Sequence, residues 1–313
     1  MMRDESTSVF RFNFAAPTTA TGQEPQQKVE KNEPMPGDDY ENEILLSPPI
    51  EVFPNEVEAV TPFPVDLVVF QEGFTLLRGR VSTAKVIGVD KTDLLPGKYE
   101  GGLKLWECTI DLVNVIMREM KAGHLSLKEK RVLELGCGHG LPGIFAIVKG
   151  AKSVHFQDFN AEVLRSLTIP NVVANIDAAQ QGTDVYDGVI SKSWHSTLDV
   201  RYYAGDWGNV EELLSEAAHE QSSSHLGYEI ILMSETVYSL QSLPKLYKLI
   251  KKCLRSPDGL LFVAGKKHYF GVGGGTRQFK TVVDEDGVLE GCLVTDFVDG
   301  SSNVREIWKF FFR

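Results

Sequence analysis

The stretch Val132-Leu133-Glu134-Leu135-Gly136-Cys137-Gly138-His139-Gly140-Leu141-Pro142-Gly143 decides the fold. It opens as a short run rich in Val and Leu, which suits a buried parallel strand. Three glycines follow at alternate positions, Gly136, Gly138 and Gly140. Lacking Cβ, they let the backbone turn sharply and lie against a ligand. An apolar segment then runs from Leu141 to Val148, with Pro142 near its start, where a missing N–H does no harm. A strand, a glycine turn and a helix in this order aim backbone N–H groups and a helix N-terminus at a bound cofactor.

The spacing of the glycines and one carboxylate narrows the cofactor. A dinucleotide fingerprint reads G-x-G-x-x-G, whereas this turn reads G-x-G-x-G, with Glu134 two residues ahead of it. A carboxylate there suits an amine and would repel a pyrophosphate. S-adenosyl-L-methionine carries an α-amino group and a ribose and has no phosphate. The pattern E-x-G-x-G-x-G resembles the first motif of class I S-adenosylmethionine-dependent methyltransferases; a dinucleotide site or a glycine turn without ligand are the alternatives. The next strand, Val154-His155-Phe156-Gln157-Asp158, ends in a carboxylate 22 positions after Gly136. An acidic residue about 20 positions on, at the tip of the second strand, reaches ribose hydroxyls. Asp158 or Asn160 can also cap the helix that begins at Ala161.

Outward from this unit, segments alternate. Leu105, Trp106, Ile110, Val113, Met117 and Met120 fall at helical spacing, and Gly123 is placed to end that helix. A helix over 161–176 is expected to break at Pro170. Strands are expected at 200–204, 229–233 and 260–264, and helices at 211–218, 243–254 and 276–284. Two closing strands near 289–297 and 304–312 flank Asp299-Gly300, a hairpin signal. Residues 178–197 look like a polar insertion. Before the core, 67–70, 75–77 and 85–89 read as strands, the first two as a β-hairpin that serves as a lid. The expected fold is α/β, a doubly wound, mostly parallel seven-stranded sheet of Rossmann-like type. Its C-terminal edge is antiparallel, and a β-hairpin extends it at the N-terminal side.

Residues 1–60 hold twelve Asp/Glu against four Lys/Arg and seven of the 14 prolines. Such a segment buries too little apolar surface to offset its ordering entropy, so it reads as a disordered acidic tail, leaving 61–313 as the folded domain. Within the tail, Phe10, Phe12 and Phe14 alternate with Arg11 and Asn13, a period that suits a strand docking on a sheet edge or in a partner groove. The net charge is −11, so no basic field grips nucleic acid. Cys108, Cys137, Cys253 and Cys292 form no C-x-x-C, which argues against disulfides and a zinc site and for a reducing compartment. No run is apolar enough to span a bilayer. A soluble intracellular monomer is expected, in the cytoplasm and also the nucleus.

In open α/β sheets, ligands lie beyond the carboxyl ends of the strands. That rule selects Gly136, Gly138, Gly140, Asp158, Asp206, Trp207 and Ser234 to Tyr238. Asp206 can accept from an adenine amino group and Trp207 offers an aromatic face; the alternative is a capping Asp206 and a core Trp207. Glu235 and Tyr238 are the candidate catalytic pair, with a strand-end carboxylate paired to a lysine as the bland reading of Glu235. Trp106 is placed at the cofactor's methionine end, or anchors its helix. No metal site is expected.

Gly101-Gly102-Leu103-Lys104-Leu105-Trp106-Glu107-Cys108, the glycine turn, the Asp158 strand end and Ser234-Glu235-Thr236-Val237-Tyr238 together resemble the seven-strand protein methyltransferases with a D/E-x-x-Y motif. With His268-Tyr269-Phe270-Gly271-Val272-Gly273-Gly274-Gly275-Thr276-Arg277-Gln278-Phe279, they resemble the protein-histidine methyltransferase branch. The resemblance covers about residues 73–313 and the Phe10–Phe14 patch, and is weakest over 178–197. It implies S-adenosyl-L-methionine as cofactor and a histidine of a large-subunit ribosomal protein as acceptor. Glu235 would accept from one ring N–H, Tyr238 would pack on or bond to the ring, and His268 and Gly273–Gly275 would line the peptide channel or form a mobile surface loop. A lysine or small-molecule methyltransferase, and a non-catalytic scaffold that escorts a ribosomal protein, are the competing functions.

Overall fold

The computed structural model describes residues 46–57, 64–88, 92–180, 198–219, 227–298 and 303–313. In chain order its first elements are β1 (Ile50–Val52), β2 (Val65–Val69), β3 (Thr75–Gly79), α1 (Thr83–Ile87), α2 (Glu107–Lys121), β4 (Arg131–Leu135), α3 (Leu141–Val148) and β5 (Ser153–Asp158). Then come α4 (Ala161–Val163), a π turn (Leu164–Thr168), α5 (Ile169–Gln180), β6 (Asp199–Ala204), α6 (Glu211–His219) and β7 (Ile230–Ser234). The last are α7 (Leu243–Cys253), β8 (Leu260–Lys266), α8 (Thr276–Asp286), β9 (Leu289–Phe297) and β10 (Arg305–Phe312).

The main sheet runs β1-β6-β5-β4-β7-β8-β10-β9. β6, β5, β4, β7 and β8 are mutually parallel, and β10 returns antiparallel to both β8 and β9. Side-chain alternation along each strand feeds two cores. Val132, Phe156, Leu232 and Phe262 pack with α2 and α3 on one face; Leu133, Met233, Leu261 and Val263 pack with α6, α7 and α8 on the other. This is the doubly wound architecture, with the switch in strand order at β4, between β5 and β7.

Four expectations change. Ile50–Val52, assigned above to the disordered tail, is a strand paired with Tyr202–Ala204, so the sheet has eight strands, not seven. Residues 85–89 were expected as a strand, yet Thr83–Ile87 is helical and is stopped by Gly88 in the left-handed region; the local turn overrides the β-branched composition. Pro170 does not break the helix. The backbone from Ala161 to Gln180 continues through the π turn just before it, and a widened turn accommodates a residue that lacks N–H and crowds the preceding carbonyl. The β2–β3 hairpin forms, but it is no lid. It packs on α5, where Asn175 accepts from Leu77 N–H and donates to its C=O, and Asn171 accepts from Gly79 N–H at 2.6 Å. Phe74, beside the turn, meets Phe145 edge-on at 5.3 Å. The Phe10–Phe14 patch, most of the 178–197 insertion and Asp299-Gly300 lie outside the described residues.

Candidate active site

A cavity of about 520 Å³ opens at the carboxyl ends of β4, β5, β6 and β7, within the range typical of small-ligand sites. Its walls carry Gly136–His139 after β4, Asp158 after β5, Asp206 and Trp207 after β6, and Ser234–Thr236 with Tyr238 after β7. The loop ahead of α2 closes the far side with Glu100, Gly102 and Trp106. Of the residues selected for the cofactor and the catalytic pair, all but Glu134 and Gly140 reach this wall.

The glycine turn is shaped by close approach. Gly136 has φ +61 and Gly138 has φ +49; a Cβ on Gly138 would stand 2.8 Å from the Gly102 carbonyl oxygen. The turn is held from two sides. Gly138 N–H donates to Asp158 Oδ2 at 2.9 Å, and the His139 carbonyl accepts from Asn171 Nδ2 at 2.9 Å. Asp158 Oδ1 also accepts from Asn160 N–H at 3.1 Å, a local turn bond; Asn160 is the N-cap residue of α4, and neither side chain caps that helix, against the capping alternative read from sequence. Desolvation pushes the Asp158 carboxyl up to about 6, against the stabilising backbone N–H groups of Asn160, Gly138 and Phe159.

Glu134 departs from its expected role. Strand alternation turns it to the face that carries α3, where Oε2 accepts from Gly143 N–H at 2.7 Å in the first turn of that helix. It is buried, its other oxygen has no hydrogen-bond partner among the described residues, and desolvation raises its pKa well above the usual carboxylate range. It therefore braces the turn from beneath, at the positive end of the helix dipole, and does not face a cofactor amine. Gly140 likewise lies behind the wall: it is the N-cap of α3, with φ +71.

Trp106, the N-cap residue of α2, donates from Nε1 to the Gly101 carbonyl at 3.1 Å, and Lys104 Nζ lies 4.3 Å from its ring centroid. Trp207 donates from Nε1 to Gln157 Oε1 at 3.0 Å. Asp206 accepts from Gly208 N–H at 2.9 Å, closing a local turn, while still lining the cavity. Ser234 shares a hydrogen bond with Thr109 at 3.0 Å. Sequence reasoning missed Gln157, which accepts from Trp207 and donates to the Gly205 carbonyl at 2.9 Å, so it ties strand β5 to the loop after β6. Its signal was its place beside Asp158 at a strand end.

Two tyrosine–carboxylate pairs stand at the end of β7. Glu235 has φ +59, a left-handed conformation in a non-glycine residue, of the kind that clusters at functional sites. This conformation accompanies a carboxylate turned inward: Glu235 is buried, and Oε2 accepts from the Tyr269 hydroxyl. The Cys108 thiol beside it is held well above its ordinary pKa, first by burial and then by this carboxylate. No lysine pairs with Glu235 among the described residues. Tyr238 donates its hydroxyl to Glu100 Oε2, and Glu100 Oε1 accepts from Gly97 N–H at 2.9 Å. Burial raises the Tyr238 hydroxyl well above its ordinary pKa. Glu100 was not singled out in the sequence; it lies in a turn-rich loop with no periodicity. His139, also on the wall and also missed, is held neutral: burial brings it down to about 4. The lining expected of the loop after β8 shifts by a few residues. His268 and Gly273–Gly275 do not line the cavity, whereas Gly271 and Val272 do. Gly274 and Gly275 instead donate to the Tyr238 and Val237 carbonyls.

The wall fits an S-adenosylmethionine-sized ligand on the structure's own terms: an uncharged glycine surface, a buried carboxylate at the β5 tip, and aromatic faces at Trp106 and Trp207. The profile of a family described as lysine methyltransferase matches residues 96–271. The Histidine protein methyltransferase 1 homolog of Dictyostelium discoideum is 42% identical over 219 residues, covering 70% of this chain and 60% of that protein. The homolog of Mus musculus is 35% identical over 272 residues, covering 85% of this chain and 70% of that protein. Histidine protein methyltransferase 1 of Saccharomyces cerevisiae is 30% identical over 240 residues, covering 64% and 61%. The chain thus spans about 60% of the length of the Dictyostelium and yeast relatives it matches. The profile covers more than half of the chain, the mouse relative is matched over 70% of its length, and the chain belongs to the histidine protein methyltransferase 1 family.

Proposed function

We propose that the protein transfers a methyl group from S-adenosylmethionine to a histidine side chain of a protein, with a large-subunit ribosomal protein as substrate. When bound, the cofactor supplies an electrophilic methyl carbon on a cationic sulfur. In this reading Asp158 receives ribose hydroxyls, Trp207 and Asp206 border the adenine, and Trp106 shapes the methionine end. A neutral imidazole nitrogen carries its own lone pair, so the site must orient the ring, fix its tautomer and exclude water rather than remove a proton beforehand.

The observation that carries this reading is the Tyr238–Glu100 pair on the cavity wall beside the end of β7. It offers a carboxylate and a hydroxyl to a ring N–H, and negative charge to an imidazolium product. Glu235, on the same wall, accepts from the Tyr269 hydroxyl, and the Tyr269 ring meets that of Tyr238 edge-on at 6.4 Å. Leu240, on the wall, is half exposed and Phe270, next to Gly271, is more so; both give a peptide an apolar surface to lie on. The family description favours a second reading, a lysine acceptor. Single-turnover transfer to a histidine-containing ribosomal peptide, followed from pH 5 to 10, separates the two. A histidine acceptor loses rate below about pH 6.5, where free imidazole protonates, and is flat above it. A rate that climbs through pH 9, or survives replacement of the peptide's histidine, overturns the histidine reading and leaves the methyltransferase fold standing.

A further inference from the structure

Strand β2 is an open sheet edge with an apolar outer face. Val65, Leu67 and Val69 are 42%, 57% and 64% exposed, while Val68 between them is buried against the core. The register with β3 pairs Val68 with Leu76, and Phe70 N–H donates to the Phe74 carbonyl. Antiparallel pairing alternates, so Asp66 and Val68 direct their N–H and C=O groups to β3 and Val65, Leu67 and Val69 direct theirs outward. The opposite edge, on β3, has the same outward groups at Leu77 and Gly79, and Asn175 and Asn171 hydrogen-bond to them. On β2, no hydrogen bond from the outward backbone groups of Val65, Leu67 or Val69 is present among the described residues.

Native proteins protect such edges with charge, brevity or cover. β9, at one end of the main sheet, carries Glu290 and Asp296, and β1, at the other, is three residues long. β2 has neither device: its one charged residue, Asp66, is engaged by Arg78 and Arg80. Cover is what remains. The chain holds one segment written to supply it, Phe10-Arg11-Phe12-Asn13-Phe14, with an aromatic at every second position. The 31 residues from 15 to 45 precede the described chain and, extended, reach about 100 Å. Tethering also gives the segment an effective concentration of about millimolar, above that of any free partner of equal affinity.

We propose that residues 10–14 add to β2 as a third strand of the hairpin sheet. Phe10, Phe12 and Phe14 then lie on the face of Val65, Leu67 and Val69, and Arg11 and Asn13 on the other. The mode is β-augmentation within one chain, with backbone hydrogen bonds for affinity and alternating aromatics for register.

The test is residue-resolved amide exchange on the full chain and on its F10S/F12S/F14S variant, whose substitutions replace none of the described residues. In the wild-type chain, where the phenylalanines cover β2, the Val65, Leu67 and Val69 amides are expected to exchange about tenfold or more slowly than in the variant, with Asp66 and Val68 protected in both. The protection should be independent of protein concentration. Equal exchange in the two chains overturns the proposal. So does protection that grows with concentration, which assigns the edge to a second copy, and protection that appears only when a protein substrate is added.

Discussion

Tyr238 and Glu100 are 138 positions apart in the chain, yet the tyrosine hydroxyl donates to the glutamate carboxylate on the cavity wall. The pair joins the loop ahead of α2 to the end of β7, two walls of the cavity. If the pair also receives the acceptor, Tyr238→Phe and Glu100→Gln should each slow methyl transfer while leaving cofactor affinity within a few-fold of wild type. The double variant should show a coupling of about 1 kcal/mol or more, as for residues in one hydrogen-bond network. Additive effects in single-turnover kinetics would separate the two residues functionally.

Gly138→Ala should remove cofactor binding before it unfolds the protein. Its φ of +49 and the Gly102 carbonyl oxygen 2.8 Å from the added Cβ act together. The left-handed conformation alone costs about 1–2 kcal/mol. Gly150→Ala is the control: φ is +87, but the nearest atom to the added Cβ is 3.7 Å away, on Lys128. Calorimetric titration should show affinity falling more than about tenfold for Gly138→Ala and unchanged for Gly150→Ala, with both melting temperatures lowered.

Cofactor affinity should depend on pH through Asp158. Its folded-state pKa is raised to about 6, so between the unfolded value near 3.8 and about 6 the native chain binds the extra proton. This group therefore favours the ligand-free fold as pH falls through 6, and burying its charge opposes folding above that value. Ribose hydroxyls need the charged carboxylate as acceptor, so binding runs the other way. Affinity should be flat above about pH 7 and weaken by up to about tenfold per unit below 6. Titrations at pH 5, 6, 7 and 8 check this, and Asp158→Ala should bind weakly with no such slope.

Glu235→Gln keeps the shape and one carbonyl acceptor for the Tyr269 hydroxyl but removes the charge. Transition-state stabilisation should fall by about 2–4 kcal/mol if that charge supports the forming imidazolium. Cofactor affinity should hold. A transfer rate equal to wild type would confine Glu235 to holding Tyr269 and the strained backbone at the end of β7.

Most of the sheet was readable because its strands are short apolar runs between glycine and helical segments. β4, β5, β7 and β8 fall within a residue or two of their expected positions, and the β10 return was signalled by the final pair of strands. β1 was not readable: its three residues sit in an acidic, proline-rich context and become a strand only by pairing with the outer edge of β6. Glu134 was misdirected by proximity. Its distance from the glycines suggested the cavity, whereas alternation along β4 sends it to α3 with Val132. Glu100 carries no periodic signal, and its position opposite Tyr238 is a product of the tertiary fold alone. The same holds for Tyr269, whose contact with Glu235 depends on a loop folding back over β7.

Asn171 is a single planar amide with a different obligation at each end, Oδ1 to Gly79 N–H and Nδ2 to the His139 carbonyl. Only one of its two flip states satisfies both. The hairpin and the cofactor turn are thus joined by a rigid spacer with a fixed polarity, and the polarity can be reversed at one end without changing volume. Asn171→Asp would keep the bond to Gly79 and set a carboxylate oxygen against the His139 carbonyl, turning a strut into a wedge under the glycine turn.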